Sequence, residues 1–298
     1  MKQPLLDPPV VDRAAERRDG AVLEEMDAVI VANGALLAAE GRLLMVRPAD
    51  QPPAELRMYL GRDGDRDIAA VVPADPRFGE DGDGIGTERM VPLRDLFREL
   101  SLRGEEAARD RELASAAVAL ATWHSNHPRC SVCGTPTEAR RGGWVRFCAT
   151  CEREHYPRTD PAVIVAITDP EDRLLLAHAS YWSPRRYSHL AGYVEPGESL
   201  EQAVHREVHE ESRLRLRNLM YVGSQPWPFP ASIMVGFTAV TDDPSFILDE
   251  DEISEAMWVS REGLLDTIAQ GAIIPAPRGS IARRMIEEWF GGTIPDGV

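Results

Sequence analysis

The sequence predicts a mixed fold, α+β at its start and α/β at its end, made of a β-rich N-terminal domain, a small cysteine module and a C-terminal domain. Three observations lead to this prediction. Short strand patterns run into a long helical stretch, four cysteines cluster in one short window, and strand and helix patterns mix through the second half. The predicted boundaries are 1–125 for the domain closed by a helix, 126–156 for the cysteine module and 157–298 for the C-terminal domain.

The composition indicates a globular protein with an acidic surface. The chain has 298 residues, 43% hydrophobic and 28% charged, with a net charge of −16. Because such a charge repels nucleic acid, a broad non-specific nucleic-acid face is not expected. The first residues lack an apolar run behind a basic start, and no stretch approaches the ~18 apolar residues of a membrane span. We therefore expect a cytoplasmic protein that does not cross a membrane.

The first domain is predicted from turn signals and alternating apolar runs. Residues 1–25 are rich in proline and charge and are expected to begin irregularly. Asn33-Gly34 is a hairpin signal, with strands expected at Ala35–Ala39 and Leu43–Val46. Gly79–Gly86 is predicted to be a loop, and it lacks the ligand spacing of a calcium-binding loop. Glu105–His124, rich in Ala and Leu, predicts a helix that leads directly to the cysteines.

The four cysteines form two CxxC pairs, Cys130 with Cys133 and Cys148 with Cys151, separated by fourteen residues. Thiolates at this spacing can converge tetrahedrally on Zn²⁺, and four protein ligands leave no open position for catalysis. The pattern therefore predicts a structural zinc ribbon with one ion per chain. Disulfides or a redox pair are the competing interpretation, and a chain without a secretory start disfavours them.

The C-terminal domain is predicted from apolar strands interleaved with two helices. Ser199 and Gln202 form a capping-box pattern at the start of the first helix. Ile281–Phe290 has apolar residues at helical spacing and predicts the second helix. The expected strands are Ala162–Thr168, Leu174–Ala177, Ile233–Val240 and Ala256–Val259, and His189–Tyr193 leads to the first helix.

The first of these helices carries a cluster of carboxylates. Glu207, Glu210 and Glu211 lie three and four residues apart, so they share one face. Arg206 and Arg213 lie at helical spacing from Glu210, which leaves Glu207 and Glu211 without a predicted partner. Because unpaired carboxylates on a buried face are costly, a divalent cation with oxygen ligands is expected there. Glu198 and Arg206 are expected to form a structural ion pair.

A second segment of interest is the proline- and aromatic-rich run Ser224–Pro230, SQPWPFP. Its prolines are expected to prevent ordinary strand pairing and to give a stiff loop that presents Trp227 and Phe229. Such a loop suits stacking on flat rings. Burial of both aromatic side chains in the core is the alternative, and the pattern alone does not decide between them.

Together these motifs resemble a known family. Gly192, Glu198, Arg206-Glu207, Glu210-Glu211 and Leu214 match the Nudix box, GX5EX7REUXEEXGU, except that Arg213 replaces its glycine. A left-handed conformation at Arg213 would cost roughly 1 kcal/mol. The preceding zinc ribbon, the His155–Arg158 sequence HYPR and the SQPWPFP run resemble the NADH pyrophosphatases. This resemblance implies a Nudix α/β/α sandwich in the C-terminal domain.

The resemblance also implies an activity, cofactors and site residues. Members hydrolyse the pyrophosphate of NADH or NAD⁺ to a nicotinamide mononucleotide and AMP, some remove NAD caps from RNA, and they are homodimers. Implied ligands for Mg²⁺ or Mn²⁺ are Glu207, Glu211, Glu252 and the Ala191 carbonyl. Glu210 or Glu211 is the candidate general base. The implied substrate-binding residues are Tyr156, Tyr193, Gln225, Pro226, Trp227, Pro228, Phe229, Pro230, Ala231, Ser232 and Ala282.

Two other functions compete with this one. The first is hydrolysis of ADP-ribose or dinucleoside polyphosphates, which the SQPWPFP run disfavours. The second is a zinc-ribbon nucleic-acid adaptor whose Nudix domain is inactive. The intact carboxylates and the net charge of −16 disfavour the adaptor.

Overall fold

The computed structural model describes residues 9–79 and 88–297, which separate into two compact units. The first unit contains residues 9–158 together with 228–231, and the second contains 159–227 and 232–297. Most of the predicted loop Gly79–Gly86 lies outside the described residues, as do the first eight residues of the segment expected to be irregular.

The first unit contains a six-stranded sheet with the order β3-β2-β1-β5-β4, in which β6 pairs with β2. The elements are β1 (Asp27–Ala32), β2 (Ala35–Ala39), β3 (Arg42–Leu43), β4 (Ala54–Asp63), β5 (Arg66–Pro73), β6 (Arg89–Pro92), α1 (Leu93–Leu102) and α2 (Ala108–Asn126). The predicted hairpin is present, with Asn33 and Gly34 at φ 49° and 75° between β1 and β2. Helix α1 was not predicted, and it buries Leu93, Leu96 and Leu100 in the core.

The predicted strand Leu43–Val46 is shorter than expected. Strand β3 ends at Leu43, and Val46 instead makes an isolated bridge to Ala28. The backbone N–H of Val46 donates to the Ala28 carbonyl over 2.8 Å. The apolar run therefore leaves β2 and continues to β1, a change of partner that an alternating pattern cannot indicate.

The cysteine module belongs to the first unit and forms a three-stranded sheet of β7 (Glu138–Arg140), β8 (Val145–Cys148) and β9 (Arg153–His155). It is joined to β4 by Tyr59, whose N–H donates to the Gly142 carbonyl (2.8 Å) and whose carbonyl accepts from Trp144 Nε1 (2.7 Å). It is joined to α2 by His124. Nε2 of that side chain hydrogen-bonds the Gly143 carbonyl (2.7 Å).

The second unit contains a six-stranded sheet with the order β13-β14-β10-β11-β15, in which β12 pairs with β10. The elements are β10 (Asp160–Thr168), β11 (Leu174–Ala179), β12 (Leu190–Tyr193), α3 (Leu200–Ser212), β13 (Arg217–Trp227), β14 (Ser232–Val240), β15 (Ile253–Val259), α4 (Arg261–Ala269) and α5 (Ile281–Phe290). Helix α5 has the predicted bounds, and β14 differs from its prediction by one residue.

Alternation along β10 divides the second unit into layers. Val163, Val165 and Ile167 share a core with α3, whereas Ile164 and Ala166 share a different core with α4 and α5. Successive side chains of a strand point to opposite faces, so the sheet lies between two helical layers. The α/β/α sandwich and the mixed fold class are confirmed.

The expectation that prolines keep Ser224–Pro230 out of the sheet is wrong for its first half. Ser224–Trp227 forms the end of β13, and Pro226 lies in register with Ile233 of β14. Strand β13 is at the edge of the sheet. Proline is tolerated in an edge strand because the position of its missing N–H can face away from the neighbouring strand.

In the described part of the chain, no helix combines the length and the apolar content needed to cross a membrane.

Candidate active site and zinc module

Helix α3, which carries the predicted carboxylates, has well-defined ends. The capping box is present: Ser199 N–H donates to Gln202 Oε1 (2.8 Å), and Gln202 N–H donates to Ser199 Oγ (3.2 Å). At the other end Arg213 is left-handed, with φ 60° and ψ 5°. The helix therefore ends at the residue where the Nudix box has glycine, despite the steric cost of a Cβ in that conformation.

The position of Glu207 depends on Gly192 in β12. A Cβ built on Gly192 would lie 1.9 Å from Cδ of Glu207 and 2.2 Å from each carboxylate oxygen. The carboxylate therefore occupies the space that a side chain at residue 192 would need. Residue 192 must therefore be glycine so that the Glu207 carboxylate can approach its backbone. Its φ is not positive, so backbone conformation does not impose the glycine.

Arg206 of α3 forms the predicted ion pair with Glu198, in the loop before the helix, and it also contacts two further carboxylates. Nε and Nη2 bind Glu198 at 2.6 and 2.8 Å, and this pairing lowers the pKa of Glu198 to about 2. Nη1 donates to Glu207 Oε1 (2.9 Å) and to Glu210 Oε2 (3.0 Å). The expectation that Glu207 has no partner is therefore wrong, because the Arg206 side chain reaches the residue next to it.

Glu211 has the environment predicted for it. Its side chain is buried, and Oε2 has no hydrogen-bond partner among the described residues. Burial, together with the nearby Glu207 and Glu252 carboxylates, raises its pKa to about 8. A buried carboxylate oxygen without a hydrogen-bond partner, close to other negative charges, destabilises the fold. A bound cation would offset both the burial cost and the repulsion.

These carboxylates open into a cavity of about 650 Å³ in the second unit. Its lining includes Ala191, Glu207, Glu211 and Glu252, of which Glu252 comes from the turn before β15. The potential ligands are all oxygen atoms, as Mg²⁺ and Mn²⁺ prefer. The unpartnered Glu211 oxygen and the close packing of Glu207 on Gly192 also fit a divalent cation site.

Four of the implied substrate-binding residues line the same cavity: Tyr193, Gln225, Trp227 and Ala282. The amide of Gln225 is already engaged by backbone, since Nε2 donates to the Gly279 carbonyl and Oε1 accepts from Ile281 N–H, each at 2.7 Å. Gln225 therefore fixes the start of α5, the helix that presents Ala282 to the cavity.

The remaining implied residues have other surroundings. Ser232 is buried, and its hydroxyl hydrogen-bonds the Tyr193 hydroxyl at 3.1 Å. Pro226 is exposed on β13. Phe229 packs against the core of the first unit, with the Arg94 guanidinium 5.2 Å from its ring centre. Tyr156, also in the first unit, is exposed and hydrogen-bonds Glu154. Pro228 is buried, whereas Pro230 is exposed and Ala231 half-buried.

Several cavity residues were not identified from the sequence. Tyr181, Trp182 and Arg186 lie in the loop between β11 and β12 and line the cavity. The sequence Tyr181–Arg186, YWSPRR, combines two aromatic residues, a proline and two arginines. Such a combination in a loop directly before the Nudix box is the sequence feature that could have identified these cavity residues.

His189 is a further cavity residue, and it is fully enclosed. Burial lowers its pKa to about 4, so the imidazole is neutral near pH 7. Neither ring nitrogen has a hydrogen-bond partner of regular geometry among the described residues. His205 and His209, by contrast, are exposed on α3.

The four cysteines lie together, as predicted. Their Sγ atoms are all within 4.8 Å of one another, and none of the four is in a disulfide. Three pairs are 3.5, 3.5 and 3.8 Å apart: Cys130–Cys151, Cys133–Cys148 and Cys133–Cys151. Four sulfurs about 2.3 Å from a tetrahedral Zn²⁺ would be about 3.8 Å apart. The sulfur geometry fits zinc and contradicts the disulfide interpretation.

Comparison with known proteins agrees with this geometry. A NUDIX domain family model matches residues 158–277, and the NADH pyrophosphatase zinc ribbon domain matches residues 125–156. The NAD-capped RNA hydrolase NudC of Mycobacterium bovis is 38% identical over 297 residues, covering 94% of this chain and 89% of the relative. Human NAD-capped RNA hydrolase NUDT12 is 35% identical over 203 residues, covering 64% of this chain and 43% of that protein.

Solved structures include a Nudix hydrolase from Nitrosomonas europaea that is 23% identical, with a TM-score of 0.42. The alignment covers 56% of this chain and 94% of that chain.

Proposed function

The chain belongs to the NAD-capped RNA hydrolase (NudC) family of Nudix proteins, and on this basis we propose that it hydrolyses the pyrophosphate bond of NADH or NAD⁺. The products are a nicotinamide mononucleotide and AMP. An NAD cap on RNA contains the same pyrophosphate bond, so NAD-capped RNA is the second proposed substrate. The observation that carries the proposal is the convergence of Glu207, Glu211 and Glu252 on a cavity that Trp227 also lines.

The carboxylates are proposed to hold the metal. Glu207, Glu211, Glu252 and the Ala191 carbonyl would bind Mg²⁺ or Mn²⁺, which when bound neutralises phosphate charge and activates a water. Arg206 holds Glu207 and Glu210 on one side of α3 through hydrogen bonds of 2.9 and 3.0 Å. Glu210 or Glu211 accepts the proton of the attacking water.

The aromatic side chains are proposed to position the dinucleotide. Trp227 at the end of β13 and Tyr193 of β12 both line the cavity, so each supplies an aromatic ring for stacking on a base. Gln225 acts indirectly, because it anchors the start of α5 through its hydrogen bonds to Gly279 and Ile281. Ser232 also acts indirectly, because its hydroxyl hydrogen-bonds the Tyr193 hydroxyl at 3.1 Å. We further propose a cytoplasmic homodimer with one structural Zn²⁺ per chain.

The test is product analysis with purified protein. Incubation with Mn²⁺ or Mg²⁺ and NADH, NAD⁺, ADP-ribose, a dinucleoside polyphosphate and NAD-capped RNA should give the highest kcat/KM on the NAD-containing substrates. AMP and nicotinamide mononucleotide should be the products from the free dinucleotide. Preference for ADP-ribose would support the alternative hydrolase, and nucleic-acid binding without hydrolysis would support the inactive adaptor.

A further inference from the structure

The loop between β11 and β12 places an exposed aromatic side chain at the edge of the catalytic cavity. Tyr181 lines this cavity and is 81% exposed, more than any other large hydrophobic side chain in the described residues. Trp182 beside it packs against the α3 core, with its ring centre 6.1 Å from that of Tyr181. Tyr181 thus contributes little to the core and presents its ring to solvent at the cavity rim.

Hydrogen bonds hold this rim next to the proposed metal ligands. Ser180 N–H donates to the Glu252 carbonyl (2.9 Å), and Ser180 Oγ donates to the Asp251 carbonyl (2.7 Å). Farther along the loop, Arg185 Nη1 donates to the Gly271 carbonyl (3.0 Å). These hydrogen bonds fix the loop on both sides of Tyr181. The neighbouring residue, Ser180, contacts the turn that carries Glu252.

Arg186 adds a positive charge to the same rim. It is the one lysine or arginine among the described residues that line the cavity, and the acidic ones are Glu195, Glu207, Glu211, Asp251 and Glu252. Its guanidinium lies 4.8 Å from the ring centre of Trp182, so the charge is positioned by stacking. An exposed aromatic ring and a cation at one rim are the combination that binds single-stranded nucleic acid, with the ring for a base and the cation for a phosphate.

We propose that Tyr181 and Arg186 form a subsite for the nucleotide that follows the cap in NAD-capped RNA. This inference rests on the proposed function. Free NADH supplies two phosphates, assigned above to the metal ligands, and two bases, assigned above to Trp227 and Tyr193. Where the RNA chain leaves the cavity, it adds one base and one phosphodiester to the groups of NADH. Tyr181 supplies a ring for this base, and Arg186 supplies a cation for this phosphodiester.

The experiment compares kcat/KM for three substrates: NADH, NAD joined to one further nucleotide, and a longer NAD-capped RNA. In the wild type, the ratio of kcat/KM for a capped substrate to that for NADH should rise with the first added nucleotide and change little with further length. Tyr181→Ala should lower this ratio roughly fivefold to a hundredfold, the range expected for one stacked base. A misfolded variant is not expected, since the side chain is 81% exposed.

Two variants serve as controls. Tyr181→Phe keeps the ring and should keep the wild-type ratio. Tyr221→Ala removes another exposed tyrosine, 48% exposed on β13 and absent from the cavity lining, and should also keep it. Arg186→Gln should lower the ratio and flatten its dependence on salt concentration.

An unchanged ratio in Tyr181→Ala, with NADH hydrolysis intact in the wild type, would overturn the subsite. Equal losses on NADH and capped RNA would overturn it too, because Tyr181 would then contact the dinucleotide itself. Wild-type protein that cleaves neither substrate would instead overturn the proposed function, and the subsite with it.

Discussion

The carboxylate of Glu207 packs directly on the backbone of Gly192, where even a methyl group at residue 192 would lie 1.9 Å from Cδ of Glu207. The two residues come from different elements, β12 and α3, which are joined by the loop that contains Glu198. The missing side chain of Gly192 therefore makes room for the Glu207 carboxylate, which gives the presence of glycine at this position of the motif a steric reason.

Gly192→Ala should displace Glu207 and weaken metal binding while the fold survives. We expect the affinity for Mn²⁺ to fall by roughly tenfold to a hundredfold, the usual effect of disturbing groups that support a metal ligand. The measurement is the Mn²⁺ dependence of NADH hydrolysis, with circular dichroism to check folding. Gly20→Ala is the matched control, since a Cβ there meets nothing within 4 Å. Wild-type Mn²⁺ dependence in Gly192→Ala would contradict the steric argument.

Cation binding should release a proton near neutral pH because of Glu211. Its pKa is raised to about 8, so at pH 7 in the absence of metal the carboxyl is largely protonated and a cation must displace that proton. The apparent affinity for Mn²⁺ should therefore fall by up to about tenfold per pH unit below that pKa and level off above it. Calorimetric titration in buffers of different ionisation enthalpy measures the proton release directly.

Glu211→Gln should remove this pH dependence and abolish turnover, whereas Glu210→Gln should retain the pH dependence of binding. The same pKa also predicts the sign of a stability effect. Because the folded pKa lies above the ordinary value of 4.5, the metal-free protein should lose stability as pH rises from there through about 8. Metal affinity that does not vary with pH would show that Glu211 is ionised without metal.

Zinc should be tightly held at one ion per chain and should be independent of Mg²⁺. Cys130→Ser removes one of four ligands and should lower the free energy of unfolding or the yield of folded protein, because the binding energy of structural zinc is folding energy. Metal analysis and thermal denaturation measure the two effects. Val132→Ala is the control, as Val132 is 62% exposed within the same CxxC pair. Folded protein without zinc would refute the assignment.

Trp227 and Phe229 should differ in function although they are two residues apart. Trp227→Ala should weaken NADH binding roughly fivefold to a hundredfold, which corresponds to about 1–3 kcal/mol for one stacked ring. Phe229→Ala should lower the free energy of unfolding by roughly 1–2 kcal/mol, because it loses partial burial in the first-unit core. Binding titrations and denaturant melts separate the two effects, and the oligomeric state must be measured for both variants. Equal effects of the two substitutions on NADH affinity would contradict this division.

Much of the molecule follows from local patterns in the sequence. The capping box of Ser199 and Gln202, the hairpin at Asn33-Gly34, the bounds of α5 and the convergence of four cysteines were all predicted. Each depends on chemistry repeated at a fixed short spacing, and the backbone geometry converts such spacing directly into proximity. The clustering of Glu207, Glu210 and Glu211 on one helix has the same origin.

Tertiary structure decided the partner of each side chain. Arg206 reaches Glu207 as well as Glu198, and Pro226 is accepted because β13 is an edge strand. Phe229 packs against the core of the first unit, whereas Trp227, two residues earlier, lines the cavity of the second. Only the packing of β12 on α3 shows that Gly192 gives Glu207 its space, and only the turn before β15 brings Glu252 to the cavity. Several partners are compatible with each local pattern, and the choice among them depends on strand register and on contacts between segments far apart in the chain.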